Sequence, residues 1–127
     1  MTSKENAINW FEISVSDISR AKKFYETIFG IQMEQQSMMG MEMAIFPYEP
    51  TSGKASGCLC QSPMHKASGD GVKLYLNGNP DLSTALSKVE AAGGKIAMPK
   101  TKISDDIGFM AFIVDTEGNA VALHSQN

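Results

Sequence analysis

Residues 11–30 read FEISVSDISRAKKFYETIFG, and residues 75–94 read YLNGNPDLSTALSKVEAAGG. In the first stretch Phe11, Ile13 and Val15 alternate with Glu12 and Ser14. A period of two puts one apolar face against a core and leaves a mixed face opposite, which predicts a strand over residues 7–15. Asp17 stands where a helix N-cap belongs. Ile18, Ala21, Phe24, Tyr25 and Ile28 then recur at helical spacing, and Gly30 falls where the residue after a helix needs positive φ.

A shift of 64 residues carries Asp17 to Asp81, Ile18 to Leu82, Ala21 to Ala85, Tyr25 to Val89, Glu26 to Glu90 and Gly30 to Gly94. The cap, the apolar face and the stop all recur. The repeat predicts a second helix with Leu82, Ala85, Leu86, Val89 and Ala92 on one face, ended by Gly93-Gly94. Strands are predicted around both helices, at residues 31–37, 41–48 and 56–61, then at 71–77, 95–103, 109–115 and 119–124. Asp115-Thr116-Glu117-Gly118-Asn119 forms the turn between the last two. Residues 63–70 are a polar link. A repeated strand-helix-strand-strand-strand unit leaves its sheet half covered and must pack on its partner. The expectation is an α+β chain forming one domain over residues 1–127, from two paired βαβββ modules at about 6–62 and 70–125. They would make a curved sheet with helices on the outer face and a concave cleft for a ligand.

With 127 residues, 43% hydrophobic and 20% charged, the chain is globular and long enough for one core. A net charge of −3 and no basic patch argue against nucleic acid as a partner. No apolar run approaches the roughly 18 residues that span a bilayer, and residues 1–9 hold no apolar targeting segment, so no membrane role is expected. Cys58 and Cys60, two residues apart on one strand, point the same way but sit too far apart to bridge easily, and a pair of free thiols fits a reducing compartment. Together these point to a cytoplasmic protein.

Three stretches resemble the vicinal oxygen chelate superfamily of glyoxalases, bleomycin resistance proteins and dioxygenases. They are Phe11 to Asp17 continuing through Arg20-Ala21, Phe24-Tyr25 and Phe29-Gly30; Val89 to Lys95; and Phe112 to Asn119 ending in Val121-Ala122-Leu123-His124. The resemblance covers nearly the whole chain. It implies a divalent metal on the concave face, held by His, Glu or Gln from the first and last strand of each module and acting as a Lewis acid. The matching positions here fall on Trp10, Cys58, Ala122, and either Lys73 or Leu74. Alternation favours Lys73, because Val72, Leu74 and Leu76 then face the helices. Trp, Ala and Leu offer no ligand atom, Lys ligates only when deprotonated, and a single Cys58 falls short of the three or four ligands such ions take. No cofactor is therefore expected unless the matching of positions is at fault.

Glu12 and His124 are the candidate catalytic groups. Glu12 on the cleft face is either a general base or a residue ion-paired to Lys73 or hydrogen-bonded across the sheet. His124 is either an acid/base or a strand-end histidine with a satisfied hydrogen bond. Candidate ligand-binding positions are Trp10, Cys58, Lys73, Tyr75, Asn77 and Ala122, with Trp10 either stacking on a ligand or filling the metal's place. Cys58 and Cys60 fit small buried hydrophobes better than a soft-metal or redox pair. His65 in the link is expected to be exposed. Met33, Met38, Met39, Met41 and Met43 crowd the second and third strands, as an adaptable binding surface or as core filler. Gly93-Gly94 is a helix stop, not a phosphate loop.

The sequence thus favours a binding protein for a small, partly apolar molecule. The alternatives are a glyoxalase-like lyase or isomerase using Glu12 with Lys73, Tyr75 or His124, and a non-catalytic homodimeric interaction module. An extradiol dioxygenase fits least, since its iron site wants two His and a carboxylate.

Overall fold

The computed structural model describes residues 1–127. The chain runs β1 (Trp10–Ser14), α1 (Ile18–Phe29), β2 (Glu34–Met38), β3 (Met41–Ile45), β4 (Ser56–Gln61), β5 (Tyr75–Asn77), α2 (Ser83–Leu86), β6 (Lys95–Ser104), β7 (Gly108–Val114) and β8 (Ala120–Ser125). Two βαβββ modules follow one another, as the repeat predicts. Each builds its own four-stranded sheet, ordered β1-β4-β3-β2 and β5-β8-β7-β6, with the first and last strands of each module parallel. The two sheets share one core of 19 buried side chains from both modules. Pro99 sits on β6, an edge strand, where a missing N–H does no harm.

α1 forms as its sequence demands. Asp17 is extended and accepts a hydrogen bond from the Arg20 N–H, while Gly30 takes φ +63° and closes on the Glu26 carbonyl. Ile18, Ala21, Phe24, Tyr25 and Ile28 are all buried. α2 is far shorter than expected. Asp81 accepts from the Ser83 N–H, but only residues 83–86 are regular α-helix. Beyond them Lys88, Val89 and Gly93 donate to the third residue back instead of the fourth. Two sequence features explain this. The Ser87 hydroxyl bonds the Thr84 carbonyl, competing with the helix, and β-branched Thr84 and Val89 weaken propagation. The apolar face survives in tightened turns, with Leu82, Ala85 and Val89 buried.

The repeat also shows in a shared cap. Gln61, at the end of β4, accepts from the Ile18 N–H at 2.7 Å, and Ser125, at the end of β8, accepts from the Leu82 N–H at 2.9 Å. In both modules the last strand supplies the oxygen that satisfies the first turn of the helix. The modules lock through the β7–β8 turn. Asp115 accepts from the buried Tyr25 hydroxyl at 2.7 Å, Asn119 donates to the Ser14 carbonyl, and Glu117 takes N–H bonds from Ser16 and Asp17 and a two-point ion pair from Arg20. Burial works against ionisation of Glu117. The bonds from Arg20, Asp17, Thr116 and Ser16 overcome it and hold its carboxyl down at about 2.

Candidate functional site

The register fixes which way the first strands face. Tyr75 lies opposite Ala122 and Asn77 opposite His124, as Glu12 lies opposite Cys58 and Ser14 opposite Cys60. Leu76 is core and Leu74 packs against it, so Lys73, not Leu74, corresponds to Trp10.

A cavity of about 760 Å³ opens on the helix-bearing side of the seam between the modules. Module one contributes Phe11, Ile28, Phe29 and Phe46; module two contributes the segment from Lys73 to Asp81 with Thr84 and Ala85. Its walls are mainly apolar, with Lys73, Asn77, Asn79 and Asp81 as polar or charged groups near them. Hydrogen bonds from Ser83 and Lys100 keep the Asp81 carboxyl ionised, near 2. Of the predicted ligand-binding residues, Lys73, Tyr75 and Asn77 line this cavity, whereas Trp10, Cys58 and Ala122 do not. A second cavity of about 340 Å³ lies between β1 and the end of the inter-module link, bounded by Glu12, Ile13, Lys66, Asp70 and Asn119 among others.

The sheet face opposite the helices is where the sequence places the ligand cleft, and its positions are otherwise engaged. Trp10 meets Tyr48 edge to face and is 37% exposed. Tyr75 meets Phe112 the same way. Cys58 and Ala122 have no exposed surface. Burial, the Glu12 charge and neighbouring Cys60 push the Cys58 thiol up to about 12, against a lowering hydrogen bond from Trp10, so it stays protonated at neutral pH. Lys73 donates to the Gly69 carbonyl at 2.8 Å. At the superfamily-matched positions, then, two side chains have no donor atom, one is a protonated thiol and one is an ammonium. They do not fit a divalent metal.

Glu12 and Lys73 do not pair. The partner of Glu12 is His65, whose Nε2–H donates to Oε1 at 2.9 Å. His65 is also not the exposed residue expected. Its other nitrogen, Nδ1, lies 2.7 Å from the Ser62 hydroxyl and 3.7 Å from Cys60 Sγ. The polar link folds back over β1 and β4, through the turn in which the His65 N–H bonds the Ser62 carbonyl. The sequence shows a polar link over residues 63–70, but nothing local says where its histidine lands. His124 donates through Nε2 to the Ile107 carbonyl at 2.7 Å, the strand-end hydrogen bond, and stands apart from Glu12. The structure therefore brings together Glu12, Cys60 and His65, a different set from the pairing of Glu12 with His124.

The profile of the Glyoxalase/Bleomycin resistance protein/Dioxygenase superfamily matches residues 7–123. Among curated proteins, CFP32 of Mycobacterium bovis, provisionally named a glyoxylase, is 29% identical over 127 residues, 98% of this chain and 47% of its own. A glyoxylase-like domain-containing protein of Didymella fabae is 27% identical over 91% of both chains. This chain thus spans about half the length of the first of these relatives. Among solved structures, a glyoxalase I variant from Zea mays superposes with a TM-score of 0.72 at 20% identity, over 93% of this chain and 45% of that one. TnmS3, an antibiotic binding protein from Streptomyces sp. CB03234, superposes with a TM-score of 0.67 at 20% identity, over 96% and 97%. At such identities the likeness shows the fold alone.

Proposed function

The chain belongs to the Glyoxalase/Bleomycin resistance protein/Dioxygenase superfamily, and from that premise we propose that it binds a small, partly apolar molecule in the cavity between its modules, without a metal at the superfamily's positions. The observation that carries this reading is the cavity of about 760 Å³, within the usual range of ligand sites, with aromatic walls and few polar groups. Phe11, Phe29 and Phe46 supply flat apolar surface, and Ser56, Asn79 and Thr84 are among the few polar residues of the lining. An open cavity of this kind also counts against a purely structural interaction module.

The test is a fluorescence titration with anilinonaphthalene sulfonate, an apolar anion, on the native protein and on Thr84→Trp and Ala55→Trp, which narrow the cavity at residues of its lining. Saturable binding, lost by about tenfold or more in both variants, is expected. Equal binding by the folded variants places the probe elsewhere and sinks the reading.

A second reading has one observation in its favour. Glu12, bonded to His65 at 2.9 Å and bordering the smaller cavity, is arranged as a base whose proton can be handed on, as a lyase or isomerase requires. Any turnover found on carbonyl substrates would fall by about a hundredfold or more in Glu12→Gln. A turnover indifferent to that change would remove Glu12 from consideration.

A further inference from the structure

On the sheet face opposite the helices, module one carries a sulfur-rich cluster that the ligand cavity does not use. Met43, Ile45, Cys58 and Cys60 are buried there with Met41 packed against them. Cys60 Sγ is its centre, 3.6 Å from Met41 Sδ and 3.7 Å from His65 Nδ1. The ligand atoms of Glu12, Cys60 and His65 all lie within 4.8 Å of one another.

We propose that Cys60, Met41 and His65 form a binding site for a soft monovalent metal ion, copper(I), with Glu12 as the carboxylate behind the histidine. The spacing supports it. Around a d¹⁰ ion with sulfur at about 2.3 Å and imidazole nitrogen at about 2.0 Å, angles between tetrahedral and trigonal separate two sulfurs by about 3.8–4.0 Å and sulfur from nitrogen by about 3.5–3.7 Å. The two distances at Cys60 stand close to those of ligands already gathered around an ion. His65 presents Nδ1 toward the thiol while its Nε2–H is held by Glu12, the carboxylate–histidine–metal arrangement that fixes tautomer and ring orientation. Only the Ser62 hydroxyl, now on Nδ1, must turn aside.

Ligand softness selects the ion. A thioether is a poor partner for zinc or harder ions and a good one for copper(I). Binding forms the Cys60 S–Cu bond and breaks its S–H bond, the proton leaving to solvent. Thiolate and Glu12 together bring negative charge to a site that then receives a cation. Cys60 itself is fully buried, and the ion reaches it past His65 and Glu12, whose side chains remain 17% and 37% exposed. The site lies two residues further along β1 and β4 than Trp10 and Cys58, so it is separate from the superfamily-matched positions. It is also independent of the cavity reading. Copper loading and proton transfer by Glu12–His65 exclude each other.

The experiment is an anaerobic titration of the reduced native protein with copper(I) held by bathocuproine disulfonate, with ascorbate keeping the metal reduced. One equivalent should pass from chelator to protein, and copper-edge X-ray absorption should show two sulfur ligands and one nitrogen. Met41→Leu, which keeps volume and removes the thioether, should weaken binding by about tenfold. His65→Ala should weaken it by at least that much, and Cys60→Ala should abolish it. Should Cys60→Ala not fold, the Met41 and His65 variants, checked by circular dichroism, decide the matter. No transfer from the chelator overturns the proposal. So does Met41→Leu binding copper as the native protein does, Cys58→Ala losing binding as fully as Cys60→Ala, or zinc binding more tightly than copper(I).

Discussion

Module one and module two follow one path through space and keep almost nothing in common on the face turned away from the helices. Facing the core, Ile18 and Leu82, Ala21 and Ala85, Tyr25 and Val89 do equivalent work, and Gln61 and Ser125 cap equivalent helix starts. On the other face, Cys58 and Cys60 stand where the second module has Ala122 and His124. The sulfur atoms of module one bury themselves against Met41 and Met43, whereas Tyr75 of module two is 52% exposed. Because strand side chains alternate, one face can hold the fold while the other changes freely. The pairing of modules is thus a structural constant here, and the chemistry resides in what differs between them.

The helices are the second contrast, and they set the largest expected effect. α1 carries Phe24 and Tyr25 at its centre, in edge-to-face contact with each other, and Tyr25 also meets Phe46. Phe24→Ala should cost about 3–5 kcal/mol, near the whole stability of a small domain. Leu82→Ala at the start of α2 should cost less, about 2–3 kcal/mol, because a short run of turns can collapse around the gap. Urea unfolding of both variants checks this. A larger loss at Leu82 would mean that the frayed second helix, not the first, anchors the core.

Gly30 and Gly94 match under the 64-residue shift, yet different constraints act on them. Gly30 has φ +63° and open space where a Cβ would go. At Gly94 a Cβ would stand 2.7 Å from both the Phe24 ring and the Val114 carbonyl oxygen, and the positive φ has moved to Gly93. Gly94→Ala should therefore cost about 3 kcal/mol through backbone displacement, and Gly30→Ala only about 1 kcal/mol through strain. Equal losses would show that both glycines serve as simple helix stops.

This pair of glycines also marks what could be read in advance. Cap, apolar face and stop are local signals, so the repeat, the strand order along the chain and both βαβββ units were legible from spacing alone. The weakness of α2 was not, because propensity is decided by small terms such as the Ser87–Thr84 hydrogen bond. Alternation put Lys73 on the side of Tyr75 and Asn77, where the structure has it. The link from residue 63 to 70 has no periodicity, and nothing in the sequence says that His65 returns to Glu12 from 53 positions away. For the same reason the position of the main cavity escaped notice. It forms at the seam of α1 and the β5–α2 segment, a property of how two modules dock and not of any one stretch.

That docking runs partly through the Glu117 carboxylate, which gives the molecule a pH response. Glu117 in the folded protein ionises near 2, below its ordinary 4.5. A depressed carboxyl binds its proton less readily folded than unfolded, so its contribution is present above about pH 4.5 and is lost as pH falls toward 2. Glu117→Gln should lower stability by about 2 kcal/mol at neutral pH, flatten the loss between pH 4.5 and 2, and leave Arg20 without its two-point partner. Chemical unfolding at several pH values tests it. An unchanged slope would transfer the acid sensitivity to other carboxylates.

The smallest expected effect compares the two caps directly. Gln61 reaches the Ile18 N–H from a partly exposed strand end, while the Ser125 oxygen meets the Leu82 N–H in a fully buried place and donates in turn to the Asn127 carbonyl. Removing an acceptor costs most where water cannot replace it. Ser125→Ala should therefore cost about 1–2 kcal/mol, and Gln61→Ala about 0.5 kcal/mol, with water taking over the Ile18 N–H. Amide hydrogen exchange at Leu82 and Ile18 reads the same difference locally. The Leu82 amide should lose protection in Ser125→Ala by about tenfold or more, whereas Ile18 should change little in Gln61→Ala. The reverse order would mean that the frayed helix of module two tolerates an unsatisfied first turn that the regular helix of module one does not, and the shared cap would then matter most where the helix is longest.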